Sequence, residues 1–278
     1  MPDSSPTPLH SAFYRFTPIA DPVAAAEALR VLARDLTGSI VVATEGINGT
    51  VAASAESISG FEAALQRPDI LAGALRGMPF KHSACTTAPF GRLKVSVKPE
   101  IVALGLPDAL PVPDERDASH LTPAEWRDLL QQGDVVVLDN RNHFEFRLGR
   151  FVGALDPQVH NFRDFAAYVQ ANAPAWRAAG RPVAMYCTGG IRCDKTAPWM
   201  RGLGLDVRQL QGGVLNYFRQ LPDAHRDWQG ECFVFDNRVA LDTGLRETGT
   251  TADQVFDPAH PDEAWRLQRA RRLDAASD

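Results

Sequence analysis

The chain has 278 residues, with 29 Lys and Arg against 34 Asp and Glu, a formal net charge of -5. Its 45% apolar content is that of a soluble globular protein with room for two cores. No global charge draws it to nucleic acid, so any such role falls to local basic patches. Its apolar runs fall well short of the roughly 20 residues that span a bilayer.

The opening stretch MPDSSPTPLHSAFYRF lacks the basic start and apolar centre of a signal peptide. Cys85, Cys187, Cys193 and Cys232 form no CxxC pair and no regular disulfide spacing. Free thiols in a reducing cytoplasm are the expectation.

In chain order, SAFYRFTPI predicts a strand, and DPVAAAEALRVLARDL a helix capped by Asp21 with Pro22 in its first turn. GSIVVAT and NGTVAAS predict two strands joined by the tight turn EGIN, whose glycine supplies a positive φ. SAESISGFEAALQR predicts a second helix, and GRLKVSVKPEIV, with Leu93, Val95 and Val97 alternating, a last strand. Strand, helix, strand, strand, helix, strand is the ferredoxin-like α+β order, assigned to residues 1–104.

GLPDALPVPDERDAS has no periodicity and reads as a linker over 105–119. Residues 120–222 then alternate helix and strand. HLTPAEWRDLLQQG reads as a helix, DVVVLDNR as a strand buried on both faces and GALDP as a short strand. FRDFAAYVQAN is a helix and PVAMYC a buried strand; CDKTAPWMRGLG is a helix, and DVRQLQGG with VLNYFRQL closes the block. This α/β pattern predicts a parallel sheet covered by helices, with a ligand site at the carboxyl ends of its strands. Residues 223–278 form a C-terminal extension, in which GECFVFDNRVAL is strand-forming and DEAWRLQRARRLDAASD a surface helix.

One stretch carries chemistry: CTGGIRC, from Cys187 to Cys193, directly after the strand PVAMY. Gly189 and Gly190 let backbone amides turn inward, and a helix opens near Arg192. Inward amides and a helix N-terminus make an anion nest that stabilises a thiolate or the terminal sulfur of a persulfide. Arg192 adds a positive charge. Only Thr188, Gly189, Gly190 and Ile191 separate Cys187 from Arg192. A ring that tight fits one sulfur better than the tetrahedral phosphate of a cysteine phosphatase. A buried strand-end cysteine before an ordinary turn is the bland alternative, and the ordered strand, glycines, arginine and helix weigh against it.

The second block resembles a rhodanese domain, DNRNHFEFRLGRFVGAL matching its early acidic-arginine segment. The longer set ATEGINGTVAAS, PFGRLKVSVKPEIV, YCTGGIRCDK and GECFVFDNRVAL resembles the rhodanese-containing tRNA uridine hydroxylase family, from about Ala12 to Leu241. The resemblance implies an acylphosphatase-like N-terminal domain and oxygen-dependent conversion of the wobble uridine to 5-hydroxyuridine. It makes tRNA, at its anticodon region, the partner and Cys187 the essential cysteine. Molecular oxygen is then a co-substrate with an unidentified reductant. Family members with cysteine-rich tails differ from this chain, whose tail after Leu241 has no cysteine.

The remaining candidates are weaker. Cys193 is a possible resolving thiol or a packed first-turn residue. Cys85 and Cys232 read as packing residues. Asp139 and Arg141 line the pocket mouth or form a structural salt bridge, and Glu145 and Arg147 are solvated or structural. Lys81, His82, Arg92, Lys94 and Lys98 form a basic cluster near the last N-terminal strand, suited to RNA phosphates or simply solvated. Arg266, Arg269, Arg271 and Arg272 make a second patch, with an ordinary surface helix the better reading. The seven histidines show no ligand spacing and no dinucleotide or Walker motif occurs, so no metal and no bound cofactor is expected. The competing functions are a sulfurtransferase with the same loop chemistry and a non-enzymatic tRNA or protein adaptor.

Overall fold

In the computed structural model, residues 8–106 and 119–274 are described. Most of the residues read as a linker, 107–118, therefore lie outside the described residues. Backbone contacts divide the chain into two compact units. One runs up to Val102 and takes in Asp236–Arg238; the other comprises Ala103–Phe235 and the chain from Val239 onward.

The first unit runs β1 (Leu9–Phe16), α1 (Pro22–Leu32), β2 (Thr37–Ala43), β3 (Gly46–Ala53), α2 (Ala55–Leu65), β4 (Lys81–Ala84) and β5 (Leu93–Val97). Helix α1 starts where Asp21 accepts hydrogen bonds from the Val23 and Ala24 amides, and the Ser54 hydroxyl caps α2. The sheet order is β4-β1-β3-β2-β5. Its core joins Phe13, Ile40, Ile47 and Val51 of the sheet to Leu29, Ile58, Phe61 and Leu65 of the helices.

Two expectations need correction here. The strand that completes the ferredoxin-like order is Lys81–Ala84, paired antiparallel with β1, whereas Leu93–Val97 is an added edge strand parallel to β2. KHSA has no apolar alternation, so a pattern search passes over it. The turn itself is Thr44–Glu45, because Ala43 pairs with Gly46. Gly46 opens β3 at φ 148°, and a Cβ there would lie 2.0 Å from the Arg15 carbonyl oxygen. The positive φ expected of this glycine is present, and the close approach of β1 demands the glycine a second time.

The second unit runs β6 (His120–Leu121), α3 (Pro123–Gln132), β7 (Val136–Asp139), α4 (His143–Leu148), β8 (Gly149–Phe151), α5 (Phe165–Ala179), β9 (Val183–Tyr186), α6 (Ile191–Gly202), β10 (Val207–Leu210) and α7 (Gly213–Gln220). There follow β11 (Trp228–Gly230), β12 (Cys232–Phe233), β13 (Ala240–Leu241), α8 (Ala252–Val255) and α9 (Pro261–Asp274).

Strands β6-β10-β9-β7 form an all-parallel sheet. Alternate side chains of β7 and β9 enter opposite cores. Leu138, Val183 and Met185 pack with residues of α5 and α6, while Val137, Ala184 and Tyr186 pack with Trp126 of α3 and Val214 of α7. His120–Leu121, expected to open a helix, is instead an edge strand beside β10, and α3 starts at Pro123 behind a Thr122–Glu125 capping box. The short strand expected at GALDP falls at Gly149–Phe151, leaving Leu155 a single bridge to Leu138.

Candidate active site

Strand β9 ends at Tyr186, and the next residue, Cys187, is 1% exposed. The chain then turns through Gly190, at φ 102°, which caps α6. The Gly190 amide donates to the Cys187 sulfur at 3.1 Å. From the other side the α7 N-terminus closes in: the Val214 amide donates to the Cys187 carbonyl at 3.0 Å and the Leu215 amide to the Thr188 carbonyl at 3.2 Å. Gly213 sits between them at φ 73°, where a Cβ would be 2.4 Å from the Cys187 oxygen.

Burial by itself pushes the Cys187 thiol up. The hydrogen bond from Cys193, the Arg192 charge and the backbone amides of Cys193 and Arg192 outweigh it, and the thiol comes down to about 6. Cys193, equally buried, moves the opposite way. Desolvation and its hydrogen bond to Cys187 push it well above the ordinary thiol value. Of the two sulfurs, Cys187 is the anion and Cys193 the donor.

Arg192 does not face the sulfur as an unpaired charge. Its guanidinium makes a fork-to-fork pair with Glu145, both hydrogen bonds 2.8 Å. Glu145 is fully buried on α4, accepts the Asn142 amide at 3.1 Å and takes the Thr188 hydroxyl at 3.3 Å. Despite burial, the Arg192 charge and these hydrogen bonds hold its carboxyl below the usual range. Of the two readings of Glu145, solvated or structural, the structural one holds: it ties the Cys187 loop to α4. Asn140 adds a second tie, donating to Thr196 at 2.8 Å while Thr196 donates to the Arg192 carbonyl at 2.9 Å.

The profile of the UPF0176 acylphosphatase like domain matches residues 9–101, and that of the rhodanese-like domain matches residues 122–220. A tRNA uridine(34) hydroxylase of Deinococcus radiodurans is 42% identical over 253 residues, covering 89% of this chain and 81% of the relative. Proteins of the same name from Jannaschia sp. and Nitrobacter winogradskyi are 44% and 41% identical, covering 85% and 91% of this chain and 77% and 98% of theirs. The chain belongs to the tRNA uridine(34) hydroxylase family.

The other sequence candidates fall in different places on this family member. Asp139 and Arg141 do not line a pocket mouth: both are fully buried and joined by hydrogen bonds of 2.9 and 2.7 Å. The Tyr186 hydroxyl donates to Asp139 at 2.7 Å, and the Arg141 guanidinium lies 5.1 Å from the Trp228 ring. The expected basic cluster is divided. Lys81 stands on β4, 5.4 Å from the Tyr14 ring, while Arg92, Lys94 and Lys98 are exposed along β5 at the opposite edge of the five-stranded sheet. His82 pairs with Glu62 at 2.6 Å.

Cys85 and Cys232 are buried, and desolvation pushes Cys232 up to about 12, as suits packing residues. Helix α9 is not merely a surface helix, since Leu267 and Glu263 are buried and Glu263 accepts from Arg147 at 2.6 Å. Among the described residues no group of three or more His, Cys, Asp and Glu could hold a metal ion, and no helix is long and apolar enough to cross a membrane.

Proposed function

We propose that this chain hydroxylates the wobble uridine, position 34, of tRNA to 5-hydroxyuridine in the cytoplasm, the activity named for its relatives. Cys187 is the catalytic residue. The observation that carries this assignment is a buried thiol held at about 6 by Cys193, Arg192 and backbone amides, so that it is a thiolate at neutral pH. Thr188, Gly189, Gly190, Ile191 and Arg192 form the ring that receives the sulfur as attacking and as leaving group.

The chemistry balances as follows. The Cys187 thiolate adds to C6 of the uracil, and the electron pair of the C5–C6 bond moves into the C4 carbonyl, making C5 nucleophilic. C5 bonds to one atom of dioxygen, taken as co-substrate. The peroxide anion so formed takes up one proton; a two-electron reductant of the thiol class then cleaves the O–O bond, and with two further protons leaves a C5 hydroxyl and water. Loss of the C5 proton expels the Cys187 thiolate and restores the double bond. Cys193, protonated beside the sulfur, steadies each thiolate form.

A second reading is favoured by the same tight loop, which seats the terminal sulfur of a persulfide for transfer to an acceptor. Product analysis separates the two. In cells lacking other uridine hydroxylases, mass spectrometry of tRNA nucleosides should find 5-hydroxyuridine with this chain and oxygen, and none with Cys187→Ser. A Cys187→Ser variant that retains full hydroxyuridine sinks the assignment. Thiocyanate formed from thiosulfate and cyanide, without hydroxyuridine, establishes sulfur transfer instead.

A further inference from the structure

Among the described residues the exposed large hydrophobic side chains comprise five aliphatics and two aromatics, Phe235 and Trp265. Phe235, 58% exposed, follows β12, and the guanidinium of Arg192 lies 5.8 Å from its ring centre. The residue that closes the Cys187 loop therefore also lies against an open aromatic ring.

That ring is held in place. Phe233 meets Phe235 at 5.0 Å and 87°, and is itself wedged against Phe144 at 5.1 Å and Phe256 at 5.8 Å. Phe144 precedes Glu145 on α4, so one aromatic stack and one ion pair fix Phe235 and the Cys187 loop to the same helix. One edge of the Phe235 ring is thus anchored on Phe233 while more than half of the residue stays open to solvent beside the Arg192–Glu145 pair.

We propose that Phe235 is the platform on which the unstacked base presented to Cys187 stacks, a substrate-positioning residue for the reaction proposed above, on which this inference rests. The occupant follows from the chemistry. Every nucleobase has a π face that an aromatic ring accepts, and single-stranded RNA loops are read by such stacking. Arg192 spends two of its five N–H donors on Glu145, one from each terminal nitrogen. It works through the ring, since a cation near one face of an aromatic is favourable and leaves the opposite face for a base.

The test uses the full chain and two anticodon stem-loop RNAs, one with uridine at the wobble position and one abasic there. Binding is read by fluorescence anisotropy. The intact protein should prefer the uridine loop, and Phe235→Leu should lose that preference by roughly 5- to 150-fold. Phe235→Tyr, which keeps the π face, should restore it. The pH midpoint of Cys187 alkylation should stay where it is in both variants, showing that the loop is undisturbed. Equal weakening on both RNAs, or Phe235→Leu binding like the intact protein while 5-hydroxyuridine is still formed, overturns the platform and leaves the functional reading standing. An intact protein that binds neither RNA and forms no 5-hydroxyuridine overturns both.

Discussion

At Cys187 the decisive balance is between desolvation, which disfavours an anion, and the Cys193 thiol, Arg192 charge and amides that favour it. The second group wins even though Glu145 already occupies the Arg192 guanidinium. Removing the carboxylate charge while keeping its shape should let Arg192 act more fully on the sulfur. Glu145→Gln is therefore expected to move the alkylation midpoint below the value of about 6 found for the intact site; a midpoint unchanged or raised would show that Glu145 only holds the loop in place. The fold should feel the same variant, because Arg192 becomes a buried charge without its counter-ion, at a cost of about 3–5 kcal/mol. Linkage gives a further check. The folded thiol titrates near 6, below the ordinary value of about 8.5. The contribution of Cys187 is thus full above the unfolded value and lost as pH falls through 6. The urea midpoint of the intact protein should rise between pH 6 and 8.5 relative to that of Cys187→Ala. Parallel curves for the two would refute a depressed thiol.

The element that shapes the site is the junction of β9, the glycine turn, α6 and the α7 N-terminus, and its glycines are not equivalent. Gly189 has no heavy atom within 4 Å of an added Cβ, whereas Gly213 at φ 73° would drive one to 2.4 Å from the Cys187 carbonyl. Gly213→Ala should cost about 2–4 kcal/mol and displace Cys187 from the Gly190 amide, raising the alkylation midpoint toward the ordinary thiol range. Gly189→Ala should leave both stability and midpoint within error, and reversal of this order would remove α7 from the account. The contrast marks what is legible in sequence. Strand β9, the turn and α6 are contiguous, so CTGGIRC displays them in a row. Gly213, 26 residues beyond Cys187, acts through space, and Glu145 reaches Arg192 across 47 positions; neither leaves a local pattern, although Asn142 and Glu145 do carry the spacing of a capping box. The short strands at Lys81–Ala84 and His120–Leu121 escape for another reason. Lys81–Ala84 is mostly polar and His120–Leu121 is only two residues long, so both are edge strands held by backbone pairing with no apolar alternation to display.

Over the whole molecule, the cysteine-free tail has a task that composition alone does not disclose. Val255, Phe256 and Leu267 of the extension pack with Phe144 of α4 and Phe233 of β12, while Glu263 takes hydrogen bonds from Arg147 and the Asp257 amide. Arg266 lies 5.3 Å from the Phe144 ring and donates to the His160 carbonyl at 3.3 Å. The extension thus braces the helix that carries Glu145, using apolar burial and ion pairs. If that is its role, Leu267→Ala, at a position 3% exposed, should remove about 2–4 kcal/mol and lower the melting temperature by roughly 4–16 °C. Arg269→Ala, on the exposed side of the same helix, should stay within about 0.5 kcal/mol. Thermal denaturation of the two variants beside the intact chain decides the matter, because a tail that merely rides on the surface would make both substitutions equally silent.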